Sequence, residues 1–397
     1  MGSQFELLTH LSEEEKEQLI CLFTDSFDMN SEEGKAHFRF FLEDGRFKKY
    51  TIVRTEGKIV AVLSLLDKEV HYFGIACKVA GMSYMAIDKT CTDPSVKDML
   101  IEGVFKLVSD DADLMLGFAR KKMDGFWYRY GFLGFTNFGK ITVECKHISS
   151  LDTSLSVAEC STDDVPFLRK LHSASYSNLF LSLERSEEDW QYILARIKRY
   201  GPVIETIKDP GEAIVGYIIR NGNIIEELAL SSAHYRPFLS LLCRTLKQDG
   251  QQVKQLHFQI GITHPLNSFI ADQYSHSLET RFAWNGGHII KINTLARFLE
   301  RIKPVLQNRL TEAGMADADI SIVNVRLIIL DGVLKIDVLP QHDDFNITQM
   351  LFWQKLVFGV VDAEKLVKDF PISKKEKVIL KIMFPFLQPQ APAMDQF

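Results

Sequence analysis

The chain has little that would tie it to a metal, a membrane or a nucleic acid. Its six cysteines, Cys21, Cys77, Cys91, Cys145, Cys160 and Cys243, are scattered without a CxxC pair or a metal-ligand spacing. That is the pattern of free thiols buried in a reducing compartment. No HxxxH pair exists, and His37, His71, His172, His234, His257 and His288 stand alone, so no metal is expected. No GxSxG elbow or Cys/His signature marks a nucleophilic hydrolase. Long basic blocks are missing too. The 46 basic residues are outnumbered by 52 acidic ones, for a formal net charge of −6, which argues against a nucleic-acid-binding face as the main function. No apolar run reaches the ~18 residues of a spanning helix. The opening MGSQFELLTHLSEEEKEQL lacks the charged-then-apolar order of a signal peptide, and Glu6 stands where a myristoylation signal needs Ser or Thr. The expectation is a cytoplasmic protein without membrane insertion.

Apolar surface is what the chain has in quantity. Hydrophobic residues make up 46% and aromatic ones 11%, with 28 Phe, enough for large buried faces and an apolar groove. At 397 residues it is too long for one core and should divide into two or three domains. Residues 12–27, SEEEKEQLICLFTDSF, carry a capping-box start and an apolar helical face at Leu19, Ile20, Leu22, Phe23 and Phe27. Residues 48–74 read as strands with a hairpin turn at 56–58, and 78–88 as a further, mostly apolar strand. A turn, a helix over 95–110 and the strand DLMLGFA (113–119) follow, and then the block GFWYRYGFLGF (125–135). After a polar linker at 147–154 the rhythm restarts, with helices over DVPFLRKLHSASY and SEEDWQYILARIKRY, hairpin turns at DPGE and NGN, the helix PFLSLLCRTLKQDG and the strand QLHFQIG. The tail changes character. It reads as a helix over 293–313 with a proline interruption, a hairpin on an Asp-Gly turn within 321–340, and a helix, glycine turn and helix over 347–370. The fold class expected is α/β (α+β).

Strand, turn, helix, strand and an aromatic stretch ending in Gly-Phe resemble the GNAT acetyltransferase superfamily. The residues that carry this are MSYMAID (82–88), the helix from Ser95, DLMLGFA and FWYRYGF (126–132), which is similar to that family's FYxxxGF ending. ERSEEDWQYIL (184–194) and GGHIIKI (286–292) resemble segments of tandem GNAT proteins of the enhanced-intracellular-survival (Eis) type, and LFWQKLVFGVVDAEKL (351–366) resembles their sterol-carrier-like domain. The resemblance implies two tandem GNAT-like mixed-sheet domains, 1–150 and a degenerate 151–291, followed by a small sterol-carrier-like domain, 292–397.

It also implies acetyl-CoA as co-substrate and acetyl transfer to an amine, on a small molecule or a lysine side chain. The last domain would be a structural and oligomer-forming module, making the protein a candidate homo-oligomer. By resemblance, pantetheine would run along Met85 to Ile87, and the pyrophosphate would meet the loop before the helix at Thr92, Asp93, Ser95 and Val96. That loop, KTCTDPSV (89–96), has neither the Gly nor the Arg of the family's anion loop; Asp93 and Ser95 also suit a plain helix start. Trp127 falls where the family's acidic tyrosine would stand, with Tyr128 one residue later as the alternative acid. Family proteins end in a Phe whose terminal carboxylate is the base, which points to Phe397, either docked or part of a frayed Pro-rich end. Phe38 and Phe41 are placed over an acceptor pocket, with Trp127 lining it, although an amphipathic helix explains the two phenylalanines equally well. Two readings stay open: an N-acetyltransferase, and a non-catalytic GNAT-fold binding or scaffold protein that has lost its pyrophosphate loop.

Overall fold

The computed structural model describes residues 2–44, 46–47, 49–120, 123–134, 137–148, 154–248, 254–260, 264–282, 287–339 and 347–387. Its first helix, Glu13–Ser26, starts in the capping box read from the sequence: Ser12 Oγ accepts from Glu15 N–H and Glu15 accepts from Ser12 N–H. It buries Leu19, Ile20, Leu22 and Phe23 against Phe38 and Phe41 of the next helix, Glu32–Leu42. Strands Lys49–Thr55 and Lys58–Tyr72 meet at Glu56 and Gly57, both with positive φ (53° and 82°), the turn geometry that matches strand twist in a two-residue hairpin.

Among the described residues the largest sheet has eight strands. In spatial order these are Gln4–Leu8, Lys49–Thr55, Lys58–Tyr72, Ile75–Ile87, Leu114–Ala119, Gly287–Ile292 and Leu133–Gly134, with Phe180–Leu183 added to the far end of Lys58–Tyr72. The pairing of Ile75–Ile87 with Leu114–Ala119 is parallel, and the helix Ser95–Val108 makes the crossover. A second, seven-stranded sheet runs His276–Phe282, Asn137–Glu144, Gln255–Phe258, Ile224–Leu230, Ile214–Asn221, Val203–Lys208 and Ser156–Glu159. A third holds Ala318–Ile322, Val325–Leu330 and Val333–Val338.

The sheets do not follow the contiguous division at 150/151 and 291/292. Asn137–Glu144, from the first 150 residues, lies inside the second sheet between Gln255–Phe258 and His276–Phe282. Gly287–Ile292 returns to the first sheet between Leu114–Ala119 and Leu133–Gly134. Each unit thus completes its sheet with a strand from beyond the expected boundary. The ladder hydrogen bonds, which are blind to chain order, decide membership.

The helix Leu295–Glu312 also departs from expectation, running unbroken through Pro304. A proline inside a helix costs about 3 kcal/mol. Here Leu295, Phe298, Leu299, Ile302, Leu306 and Leu310 are all buried along one face and offset that cost. They belong to one core that joins the first sheet, through Tyr72, Leu114 and Leu116, to the third sheet and to the helix Lys374–Met383. The six cysteines are free: Cys77, Cys145, Cys160 and Cys243 are buried, whereas Cys21 is exposed and Cys91 half-exposed.

Candidate active site

The site begins with a strand that leaves its ladder. On one side of Ile75–Ile87, Val62 faces Ala86 and Ser64 faces Ser83, so Leu63 stands opposite two residues, Tyr84 and Met85. This is a β-bulge. Tyr84 takes a left-handed conformation (φ 47°), which costs a non-glycine residue about 1–3 kcal/mol. On the other side, parallel pairing runs from Val79–Leu114 to Met82–Gly117 and stops, so the strands part beyond it. A cleft of about 720 Å³ opens where they part, within the size range of small-molecule sites.

Two side chains with acid–base chemistry meet on its wall. His37, from the helix Glu32–Leu42, places Nε2 3.1 Å from Tyr84 Oη. Either atom can be the donor. Burial, then Arg199 and Arg196, push the imidazole pKa below its ordinary 6.5, so His37 is neutral at pH 7. The bulge that strains Tyr84 also turns it toward His37, 47 residues away in sequence.

Phe38 and Phe41 are not on the cleft wall. Both are fully buried, and their rings pack on Tyr84 with centroids 5.8 Å and 3.9 Å away. The amphipathic helix that explains them turns His37 toward the cleft and the two phenylalanines behind it. They hold Tyr84 in place instead of meeting a substrate.

Met85 and Ile87 line the cleft, but Thr92, Asp93, Ser95 and Val96 do not. Asp93 is itself the anion at the helix start: its Oδ1 accepts from Ser95 N–H at 2.9 Å and from Ser95 Oγ at 2.7 Å, and its carbonyl accepts from Val96 N–H. Val96 is wholly buried in the core. Positive charge comes instead from side chains. Lys89 pairs with Asp28, Lys97 Nζ lies 5.8 Å from the Phe126 ring centre, and the Arg120 guanidinium stacks 3.8 Å over Phe27 while donating to Ser26 carbonyl. With Arg196 these are the charged residues of the wall, and no carboxylate stands among its described residues. Lysine and arginine side chains on this wall suit an anionic ligand.

The aromatic block divides. Trp127 keeps one edge in the cleft at 8% exposure and packs edge-on against Phe126 and Phe132. Tyr128 is 46% exposed and off the cleft wall, because one residue along the helix Asp124–Tyr128 turns a side chain by about 100°. Gly131 closes the block at φ 81°, and its carbonyl accepts from the buried Gln354 side chain, whose Oε1 in turn accepts from Ile292 N–H. Phe397 lies outside the described residues. Among the described residues no three His, Cys, Asp or Glu side chains gather as a metal-holding group, and no helix is long and apolar enough to cross a membrane.

The second sheet repeats the parting of strands and fills it. Ile224–Leu230 and Gln255–Phe258 pair in parallel only at Ile224–His257 and Ile225–Phe258. Beyond that, Leu228 carbonyl accepts from His264 Nε2 at 3.1 Å and from Tyr176 Oη at 2.7 Å. Both side chains are buried, so this carbonyl is already satisfied from within.

His37, Tyr84, Lys97, Arg120, Tyr192 and Arg196 escaped the sequence reading. Isolated in the chain, they carry no spacing signal, and the left-handed turn at Tyr84 has no residue signature.

No family model matches the sequence, and no curated protein matches it. Solved structures do match in fold. A GCN5-related N-acetyltransferase from Kribbella flavida superposes with a TM-score of 0.70 at 12% identity, covering 100% of this chain and 99% of its own. One from Anabaena variabilis gives 0.71 at 15%, covering 99% and 100%. Eis1 from Mycobacterium abscessus gives 0.66 at 12%, also covering 99% and 100%. The chain therefore shares the mixed α/β fold of these solved structures along its whole length.

Proposed function

We propose that the protein is a GNAT-type N-acetyltransferase that uses acetyl-CoA and an amine, on a small molecule or a lysine. The observation that carries this is the bulged, parting strand pair with the His37–Tyr84 hydrogen bond on its wall. Acetyl-CoA would supply the activated acetyl thioester. The chain would supply cations for its phosphates at Lys89, Lys97 and Arg120, and the apolar walls of Met85, Ile87 and Trp127 that exclude water. Amine attack requires removal of an ammonium proton. In this reading Tyr84 Oη takes that proton while handing its own to His37 Nε2, so the pair relays one proton and ends charged at the imidazole; the second amine proton would leave with CoA, which departs as its thiol. The terminal carboxylate of Phe397, expected as the base from the family resemblance, is the rival for this role, with Tyr128 its acid. The first and second halves would be an active and a degenerate GNAT domain, and residues from 292 onward a sterol-carrier-like structural module.

Calorimetric titration with acetyl-CoA and CoA tests the reading, and absence of heat at millimolar ligand would overturn it. His37→Gln should retain binding and lower kcat by about 10²–10⁴-fold, the span typical of a general base. Extending the terminus beyond Phe397 by a few residues should leave turnover intact if His37 is the base and abolish it if Phe397 is. One observation favours the second reading, a binding protein without catalysis: Asp93 occupies the helix start that an anion would use. That reading predicts no thiol release with any amine.

A further inference from the structure

The acceptor side of the cleft is built across both halves of the chain, and its charge is positive. Helix Glu187–Tyr200 presents Tyr192 and Arg196, one turn apart, to the same cleft as His37 and Tyr84. That helix is fastened to the first half at several points. Asp189, buried at its N-terminal turn, pairs with Arg46 at 3.0 Å and with Lys68. The Arg46 guanidinium lies 3.6 Å from the Tyr192 ring centre, and the same ring stacks on Phe40. A clamp one turn away therefore fixes Arg196 on the wall that it shares with His37. Glu226, half-buried on the strand Ile224–Leu230, has its carboxyl pushed up by burial and drawn back in part by Arg196. A polycationic acceptor would meet Arg120 and Arg196 on this wall and, among its described residues, no lining carboxylate, an arrangement that repels it.

We infer that the amine acceptor carries an anionic group, carboxylate or phosphate, next to its amine, and that Arg196 binds that group and sets specificity. The inference rests on the transferase reading for the identity of the site. A guanidinium offers two parallel N–H donors to such oxygens, which also orients the neighbouring amine toward His37 and Tyr84. A charge-assisted hydrogen bond contributes about 1.5–3 kcal/mol, so the anionic member of a matched pair should be favoured by roughly ten- to a hundredfold.

The experiment uses the full chain and matched probes: L-lysine against L-lysinamide, and 2-aminoethyl phosphate against 2-aminoethanol. Direct binding is measured calorimetrically, and kcat/KM by thiol release from acetyl-CoA. Expected is a preference for the anionic member in either pair, carried by KM. Arg196→Gln should bring the ratio close to one while acetyl-CoA binding stays intact, and Arg196→Lys should keep part of it. Which pair shows the larger ratio identifies carboxylate or phosphate. Equal or reversed preference in the unmodified protein, or an unchanged ratio in a folded Arg196→Gln variant, overturns the inference. Selective binding of the anionic probes without any acetyl-CoA binding would support the anion site and sink the transferase reading instead.

Discussion

At the scale of residues, the site depends on two side chains that have no distinction in the sequence. His37 is one histidine among eleven, and Tyr84 sits in a strand of apolar appearance. The imidazole pKa is lowered, first by burial and then by Arg199 and Arg196, so protonation that silences a base occurs below pH 6.5. A plot of kcat/KM against pH should therefore fall on an acid limb below 6.5, and His37→Gln should remove that limb along with most of the rate. A limb centred above 6.5, or one that survives the substitution, would assign the base elsewhere. Trp127 shows the same separation of letter and role. It holds the position at which the resemblance expects an acid, and its buried indole forms wall and core together.

At the scale of elements, close packing overrides local preference. Gly103 lies within the helix Ser95–Val108, where alanine would gain about 1 kcal/mol in helix propensity. A Cβ there would come within 2.4 Å of the Phe5 ring from the edge strand Gln4–Leu8. Gly103→Ala should therefore destabilise the protein by about 1–3 kcal/mol, the usual cost of overpacking, with Phe5→Leu restoring part of it. Urea unfolding of the single and double variants measures both. The helix Glu187–Tyr200 is placed by buried charge in the same manner. Just before it, Arg185 makes two 2.7 Å bonds to Glu227, which also accepts from Tyr217 Oη at 2.6 Å. Removing one partner of such a buried pair costs about 3–5 kcal/mol. Arg185→Met should show that loss in the same measurement.

At the scale of the whole molecule, the halves are interlocked. Strands exchanged at Asn137–Glu144 and Gly287–Ile292 complete each other's sheets, and one core runs from the first sheet to the last helix. A chain ended at residue 291 would expose Tyr72, Leu114 and Leu116 and should give no cooperative melting transition; a soluble, cooperatively melting fragment would contradict this. Acid stability is also a global property here. Burial lowers the pKa of His172 to about 3 and of His264 to about 4, both below the ordinary 6.5. The unfolded chain protonates these rings first as pH falls. The stability they leave intact above pH 6.5 is thus lost between 6.5 and those values, at about 1.4 kcal/mol per pH unit for each ring. Urea midpoints should drop steadily over that window, and less steeply in His172→Phe.

The capped helices, the Glu56–Gly57 hairpin and the tandem α/β rhythm were legible because caps, turns and periodicity act within a few residues of each other. So was the position of Met85 and Ile87 on the strand that opens into the cleft. Strand membership across the 150 and 291 boundaries was not legible, since ladder bonds join residues over a hundred positions apart. Neither was the cleft's chemistry. Phe38 and Phe41 looked as suited to a pocket as to a core, and only packing on Tyr84 turned them inward. The glycine-free loop at 89–96 signalled the loss of an anion site, yet lysine and arginine side chains from separate elements gather beside it. Local sequence determined many of the elements and their order, though not the strand Gln4–Leu8 or the helix Lys374–Met383. The tertiary structure alone decided which charges and which acid–base groups share one cavity, because that depends on strain at one strand residue and on contacts between distant segments.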